Sequence, residues 1–414
     1  MVQYSSLEPK CNFIMKGSAN QMREENIVGA ATSGIKVCVI GVGNGGSQVA
    51  IAATSKGIPS MVFNTSEKDL ADDLIGKNIK GYLIGDGRGS GKDRENAMAL
   101  LKANGKAGLQ EIFVNPFFKE MVEPADVVFV TFSTGGGTGS GIGPTLAKMI
   151  HLAYNRKVVI PYGILPKNAE SVMAQANTIA CVDDMTKLGT PYMLADLSFY
   201  ENEPQEKAFQ KIGEYIAETM AIIRGDYMTM STHGMADERD ILTVISEPGY
   251  LGVWFRNGIT EAMLQSGKTL EGYIVDEMKA SPMCRFQRDG YLQYNLVATN
   301  VNSTVEDPLK NGDYSELNQF AGEPKATYAN YAVDDTITEF NVTCIVGGMS
   351  IPMDRFTAAK AKVKANRERY EKHSAISLDS DREATSVKGN ESTRSQIMGS
   401  ANSATADLSF LDNI

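Results

Sequence analysis

The sequence predicts an α/β fold: a parallel-sheet nucleotide-binding domain, a long central helix, a smaller α/β second domain, then a C-terminal helix and a tail. Three observations predict it. Buried strands alternate with helices over residues 35–201, the pattern of a parallel sheet covered on both faces. Glycine-rich loops interrupt that alternation at three places. A helix of about 22 residues with one apolar stripe then separates this region from a second set of strands.

The bounds are set by composition. The 414 residues suffice for two or three domains. An apolar share of 43% is that of a globular protein with a full core. The net charge of −10 argues against a surface that coats nucleic acid, so direct sequence-specific binding of nucleic acid is not expected. No run approaches the ~20 apolar residues that span a bilayer. No basic start followed by an apolar run marks a secretory signal, so the cytoplasm is expected and a membrane partner is not. Cys11, Cys38, Cys181, Cys284 and Cys344 are spread out without a Cys-x-x-Cys pair, and read as reduced core thiols. His151, His233 and His373 lack metal-ligand spacing, so no protein-built metal site is predicted.

The elements follow in order. Residues 1–34 read as a polar N-terminal extension with one short helix. Ile35–Ile40 reads as a buried parallel strand. It runs into Gly41-Val42-Gly43-Asn44-Gly45-Gly46 and a helix from Ser47 to Ser55. Further strands are expected at 59–63, 127–132, from 157 and at 191–196, with helices at 142–153 and 169–187. The first, parallel-sheet domain is set at 35–201 and the connecting helix at 202–224. Asn202 and Gln205 offer a capping box for it, and Phe209, Ile212, Ile216, Met220 and Ile223 form its stripe. A second, C-terminal α/β domain is expected over 225–353, with strands at 250–255, 291–298, 326–333 and 338–346 and a helix at 268–280. The final helix, 354–373, carries seven Lys or Arg against three acids; Phe356, Ala359, Val363 and Tyr370 share a face that Asn366 interrupts. Residues 374–414, with nine serines and one aromatic, read as a disordered tail.

The first glycine loop fits a dinucleotide fingerprint. A nicotinamide enzyme needs an acid at the end of the second strand; Asn64-Thr65 stands there, and the nearest acid is Glu67. The second loop, Gly85 to Asp93, is no Walker motif, because Asp86 and Asp93 stand where Gly and Ser or Thr are required. Its Gly87, Arg88, Gly89, Gly91 and Lys92 can still wrap a terminal phosphate. It lacks an apolar strand of useful length before it. The third loop, Gly135-Gly136-Gly137-Thr138-Gly139-Ser140-Gly141, is the strong signal. Without Cβ atoms its amides can approach phosphate oxygens closely, Thr138 and Ser140 add hydroxyls, and the next helix aims its positive end there.

That third loop resembles the signature of the tubulin/FtsZ superfamily, and the order of elements agrees over roughly residues 35–373. Gly41–Gly46 resembles the family's first phosphate loop, with Gly43, Asn44, Gly45 and Gly46 implied as ligands, and Asn64-Thr65 resembles its second. The basic final helix and Leu165–Glu170 are similar to the plasmid and phage, TubZ-like branch, which implies Glu170 as a ribose acid. Gln48 stands where many relatives carry Asn, and Asp196 is the one obvious polar reader of guanine in Leu194–Ser198. The resemblance implies GTP or GDP with Mg²⁺.

Asp237 and Asp240 match the family's catalytic acids, three apart, although Met235 replaces the Asn that often precedes them. Taken alone, such a pair is a helix start whose acids complement the helix dipole. The connecting helix rises about 1.5 Å per residue, which puts them about 33 Å from their own chain's phosphate site. They would therefore act on a neighbour's nucleotide, through head-to-tail contacts that continue as a filament. Implied partners are further copies of the chain and an adaptor linking the tail to DNA. Three functions are weighed: a filament that segregates or positions plasmid or phage DNA in a bacterial or infected bacterial cell, an FtsZ-like cell-division filament, and a monomeric nucleotide-dependent enzyme.

Overall fold

Runs of Val, Ile and Phe with few polar side chains build the centre of the sheet. Val37–Val42 (β1) and Val127–Ser133 (β4) pair in parallel from Val37↔Val127 to Val42↔Phe132. Both strands are buried on both faces. Cys38, Ile40 and Val42 join Val128, Val130 and Phe132 in one core layer; Val37 and Val39 join Val127 and Phe129 in the other. Continuous apolar runs are what a parallel strand covered by helices on each side requires. The computed structural model describes residues 34–74, 79–103, 105–225, 236–264, 269–281, 294–301, 315–322, 324–333 and 335–380. The expectations for residues 1–33, for Met235 and for 381–414 lie outside these.

Around that pair lie Gly43–Ser55 (α1), Ser60–Asn64 (β2), Glu67–Leu74 (α2), Lys80–Leu83 (β3), Arg94–Lys102 (α3), Gly105–Val114 (α4) and Pro116–Val122 (α5). Thr138–Ala153 (α6), Val158–Leu165 (β5), Val172–Thr186 (α7), Pro191–Asp196 (β6) and Gln205–Arg224 (α8) follow. The remainder comprises Glu238–Ser246 (α9), Gly249–Ile259 (β7), Leu270–Ala280 (α10), Tyr294–Val301 (β8), Ser315–Ala321 (α11), Ala326–Val333 (β9), Phe340–Met349 (β10) and Met353–Ser380 (α12). Strand order is β3-β2-β1-β4-β5-β6-β7-β10-β8-β9. Pairing from β3 to β6 is wholly parallel. Two residue pairs, Pro191↔Gly249 and Tyr192↔Tyr250, join it to the mixed second half. There β10 runs antiparallel to β7 and β8, and β9 parallel to β8.

Several boundaries move for identifiable reasons. α1 and α6 begin inside the glycine loops, four residues before the expected starts at 47 and 142. Glycine's weak helix propensity is overridden by packing: a Cβ on Gly46 would lie 2.1 Å from the Thr131 carbonyl oxygen. β3 was not expected, because Lys-Gly-Tyr-Leu carries no apolar alternation; its pairing with β2 makes it a strand at the sheet edge. The second glycine loop therefore does follow a strand, a short and largely exposed one. The expected Asn202–Gln205 capping box does not form: Pro204 is the N-cap of α8, with no side-chain hydrogen bond. Gly225, at φ 94°, ends that helix in the left-handed conformation that favours glycine. α12 continues to Ser380, so the first seven residues assigned to the tail, 374–380, are helical.

α8 lies along α1 and buries Ile212, Ile216, Met220 and Ile223 of the expected stripe; Phe209 is only partly buried. Cys38, Cys181 and Cys344 are buried free thiols, each pushed up to about 12 chiefly by burial. We expect all three to be silent to a thiol reagent at pH 8 in the native protein, and to react once it is unfolded. Raised acids of this kind contribute stability below their unfolded value near 9; that contribution is lost as pH climbs towards 12. A melting temperature that rose over that interval would contradict the assignment.

Candidate nucleotide site

Parallel register places the carboxyl ends of six strands in one row. Leu83 pairs with Asn64, Val42 with Phe63 and Phe132, Ser133 with Ile164, and Leu165 with Asp196. The loops after these strands must therefore converge on one edge, where ligands of open α/β sheets bind. The glycines are the reason they can. A Cβ on Gly43, which has φ 67°, would lie 3.1 Å from the Gly139 nitrogen, so the first and third loops meet backbone to backbone. A Cβ on Gly137 would lie 2.4 Å from Ser90 Oγ and 2.8 Å from the Asp93 nitrogen, so the third loop meets the second.

Hydroxyls tie the same loops together. Thr65 Oγ1 and Thr138 Oγ1 are 2.7 Å apart, and Ser90 Oγ lies 3.2 Å from Thr138 Oγ1. The Gly89 amide donates to the Thr65 carbonyl at 2.8 Å. Four glycines of the second loop, Gly85, Gly87, Gly89 and Gly91, have positive φ, and so does Lys92 at 63°. Such turns aim neighbouring amides into a concavity suited to an anion. The Arg88 side chain is 88% exposed and only loosely paired to Asp86, at 3.6 Å. Lys92 is exposed as well. Both cations are thus on the surface beside the cradle.

Asn64 adds a second kind of evidence. It is buried, its Oδ1 accepts from the Thr65 and Ser66 amides at 2.8 and 3.2 Å, and its Nδ2 has no partner. A buried donor without an acceptor is costly unless a ligand supplies one. Asn44 and Gln48 are exposed one turn apart on α1, and the Gln48 backbone lies beside Gly213 of α8. Ser140 turns inward, its hydroxyl donating to the Gly136 and Gly137 carbonyls. It fixes the loop's shape; its amide stays at the helix start. Amides of two helix starts, α1 and α6, a buried orphan donor and two exposed cations together fit a polyphosphate.

One assignment changes. Asp196 is 1% exposed; Arg355 donates to its Oδ2 at 2.9 Å, and the Ser198 amide donates to its Oδ1 at 3.0 Å. A carboxylate engaged in a buried ion pair presents no edge to guanine, so Asp196 is a structural acid. The Glu170 carboxylate accepts from the Lys167 amide at 3.1 Å and closes its own turn beside the site.

Residues unremarked in the sequence hold the cradle from behind. Asn177 of α7 donates to the carbonyls of Lys92, Gly135 and Gly136 at 3.0, 3.3 and 3.3 Å, bridging the second and third loops. Asn96 donates to the Ser90 carbonyl at 3.2 Å. Gln175, Asn177 and Thr178 are buried polar residues on α7; polar residues on a helix's inner face were the available signal. Phe209, read only as part of a stripe, has its ring edge 3.1 Å from where a Gly45 Cβ would lie.

The acid pair sits at the other end of the molecule. The Gly34 amide, just before β1, donates to the Glu238 carboxylate. Arg224, the last residue of α8, donates to the Lys56 carbonyl at the far end of α1, at 3.0 Å. α8 begins beside Gly45 and runs for 20 residues, about 30 Å. Asp237 accepts from the Arg239 and Asp240 amides at 2.8 and 3.1 Å, while Asp240 accepts from the Asp237 amide at 2.9 Å. The helix-start reading and the remote position are both realised. Among the described residues no group of three or more His, Cys, Asp and Glu side chains is placed to hold a metal.

A parallel sheet whose glycine loops meet in one anion-binding cradle, with a helix running from it to a remote acid pair, defines a nucleotide-binding protein of the tubulin/FtsZ fold. Residues 36–194 match the Tubulin/FtsZ family, GTPase domain. It is similar to the tubulin-like protein TubZ of Clostridium botulinum C phage, 28% identical over 218 residues, 51% of this chain and 57% of that protein. The chain thus spans little more than half the length of that relative. It is also similar to the cell division protein FtsZ of Mycoplasmopsis pulmonis, 26% identical over 342 residues, 79% of each. A solved GTPγS-form protofilament of Bacillus thuringiensis serovar israelensis TubZ has the same fold, with TM-score 0.65 and 16% identity, covering 83% of this chain and 94% of that one.

Proposed function

We propose that this chain is a GTPase that polymerises head to tail into dynamic filaments and hydrolyses GTP at the subunit junction. The observation that carries this is the separation of parts: a phosphate cradle at the carboxyl edge of the sheet and an acid pair about one α8 length away. Neither can complete the other within one subunit. Stacking copies in one direction brings them together, and a stack of identical contacts continues as a filament.

The chemistry follows the logic of phosphoryl transfer, in which positioning and charge neutralisation do most of the catalysis. Gly43, Asn44, Gly45 and Gly46, the Asn64-Thr65 turn, the second loop from Gly87 to Lys92 and the third from Gly135 to Ser140 hold the triphosphate. Mg²⁺ at such a site takes ligands mainly from phosphates and water, which suits a cradle of amides and hydroxyls; bound, it neutralises charge on the leaving group. Asp237 or Asp240 of the next subunit orients the attacking water. Glu170 borders the ribose side. Cleavage of the γ-phosphate then weakens the junction.

We assign the filament to segregating or positioning plasmid or phage DNA, with the TubZ relatives and the cation-rich run of residues 360–372 as support. An adaptor joins the tail to DNA, and the location is the bacterial cytoplasm. Similarity to FtsZ favours cell division as the second reading. Purified protein with GTP is expected to form filaments in the electron microscope, with phosphate release per molecule rising above a critical concentration. A release rate indifferent to dilution would remove the junction mechanism. An assembly that copurifies with DNA-bound adaptor supports segregation, whereas recruitment to a division septum supports the second reading.

A further inference from the structure

We infer that Arg355 of α12 is a positioning residue of the nucleotide site, and that nucleotide binding and the seating of α12 are linked through it. The inference rests on the GTP-site reading above. Arg355 is 5% exposed. Its Nε donates to Asp196 at 2.9 Å, and its guanidinium reaches past that carboxylate to the Pro166 carbonyl at 2.6 Å. Pro166 in turn packs against the phosphate loop: a Cβ on Gly135 would lie 3.3 Å from Pro166 Cβ. One side chain of the C-terminal helix is therefore two contacts from the third glycine loop.

The turn it grips is held nowhere loosely. Lys362, two turns further along α12, donates to the Asn168 and Glu170 carbonyls at 3.0 and 2.6 Å. The Glu201 carboxylate, ahead of α8, accepts from the Asn168 and Ala169 amides at 3.0 and 2.8 Å. Lys167 returns the tie to the Glu201 and Glu203 carbonyls. Gln175 of α7 donates to the Lys167 carbonyl at 2.8 Å. α12 itself packs on α7 through Ala359, Val363 and Ile179, and α7 holds the glycine loop by Asn177. Turn 166–170 is thus a common node of α7, α12 and the segment just ahead of α8.

A ligand that tightens the third loop stabilises the node, and with it the seat of α12; by linkage, a firmly seated α12 tightens the ligand by the same factor. Beyond Val363, the side chains at 364–369 are all exposed, so the ties to the node among the described side chains come from the first turns of α12. This gives the chain a path from nucleotide to the basic end of the helix that does not pass through α8.

The test uses the full chain below its assembly concentration, a fluorescent GTP analogue for affinity, and hydrogen exchange of amides 353–363. In the unaltered chain GTP is expected to slow that exchange at least threefold. Removing Arg355 alone strands a buried carboxylate, so the informative variant is Arg355→Met with Asp196→Asn. It is expected to bind the analogue about tenfold more weakly and to show no nucleotide effect on exchange. Arg355→Lys keeps the charge and loses the fork, and should fall between. Lys362→Ala, at the half-buried edge, removes a second tie and should weaken binding two- to fivefold; it decides the matter if the double variant does not fold. Inorganic triphosphate, held by the glycine loops, reports on the phosphate cradle and should show the same order of variants. Normal affinity in Lys362→Ala and the double variant, with exchange at 353–363 unmoved by GTP, would overturn the link while leaving the GTP site standing. A chain that binds neither GTP nor triphosphate would overturn both.

Discussion

Asp240→Ala should lower GTP turnover in assembled filaments by about 10²–10⁴, the usual contribution of a positioned acid or base, while nucleotide affinity below the assembly concentration stays within twofold. The filaments should persist, because their junctions no longer lose the γ-phosphate. Asp237 Oδ1 accepts from two amides and so holds the start of α9, whereas Asp240 gives one oxygen to one amide. We therefore expect Asp240 to carry the larger share. Removing it also breaks the capping box, at about 1 kcal/mol. Asp240→Asn separates the two effects, since an amide oxygen can still cap but cannot take a proton. If Asn at 240 hydrolysed GTP at the unaltered rate, the acid would be a helix cap and nothing more. The junction makes a further demand: a subunit lacking its acid still offers its own nucleotide to a neighbour's acid. Mixing Asp240→Asn with a subunit that cannot bind GTP should restore turnover that neither has alone. Measured additivity of two inactive preparations would exclude action across the junction.

Gly137→Ala supplies that second subunit. The added Cβ would meet Ser90 Oγ at 2.4 Å and the backbone of Lys92 and Asp93 at 2.8 Å. A hydroxyl can rotate away, but backbone atoms cannot, so the second and third loops must part. We expect affinity for GTP to fall at least a hundredfold, about 2.8 kcal/mol at 1.4 kcal/mol per tenfold. The fold should survive, since the contact lies at the rim of the sheet and not in either core layer. Gly136→Ala is the control: nothing lies within 4 Å of a Cβ there. Equal loss in both variants would mean that the clash is not what matters. Retained binding in Gly137→Ala would mean that the loops need not touch.

The sequence by itself determined the parallel sheet, the edge at which ligands gather and the remoteness of the acids. These follow from local rules: apolar runs that need cover on both faces, glycines with no Cβ, and a rise of about 1.5 Å per residue along a helix. Those rules act within a few residues of each other and leave marks in a single stretch of chain. β6 was read to the residue for this reason.

Only the tertiary structure decided what depends on partners distant in the chain. Asp196 looked like a reader of guanine because it is the one obvious polar residue in Leu194–Ser198, the stretch that the family resemblance points to; Arg355, 159 residues later, takes it. Lys80–Leu83 had no strand pattern and became one by pairing with β2. The phosphate cradle is closed by Thr65, Ser90 and Thr138, from three loops, and braced by Asn177 from a fourth element. Hydrogen bonds and ion pairs of this kind are made between groups that only the fold brings within reach, so no window along the sequence contains both halves of any of them.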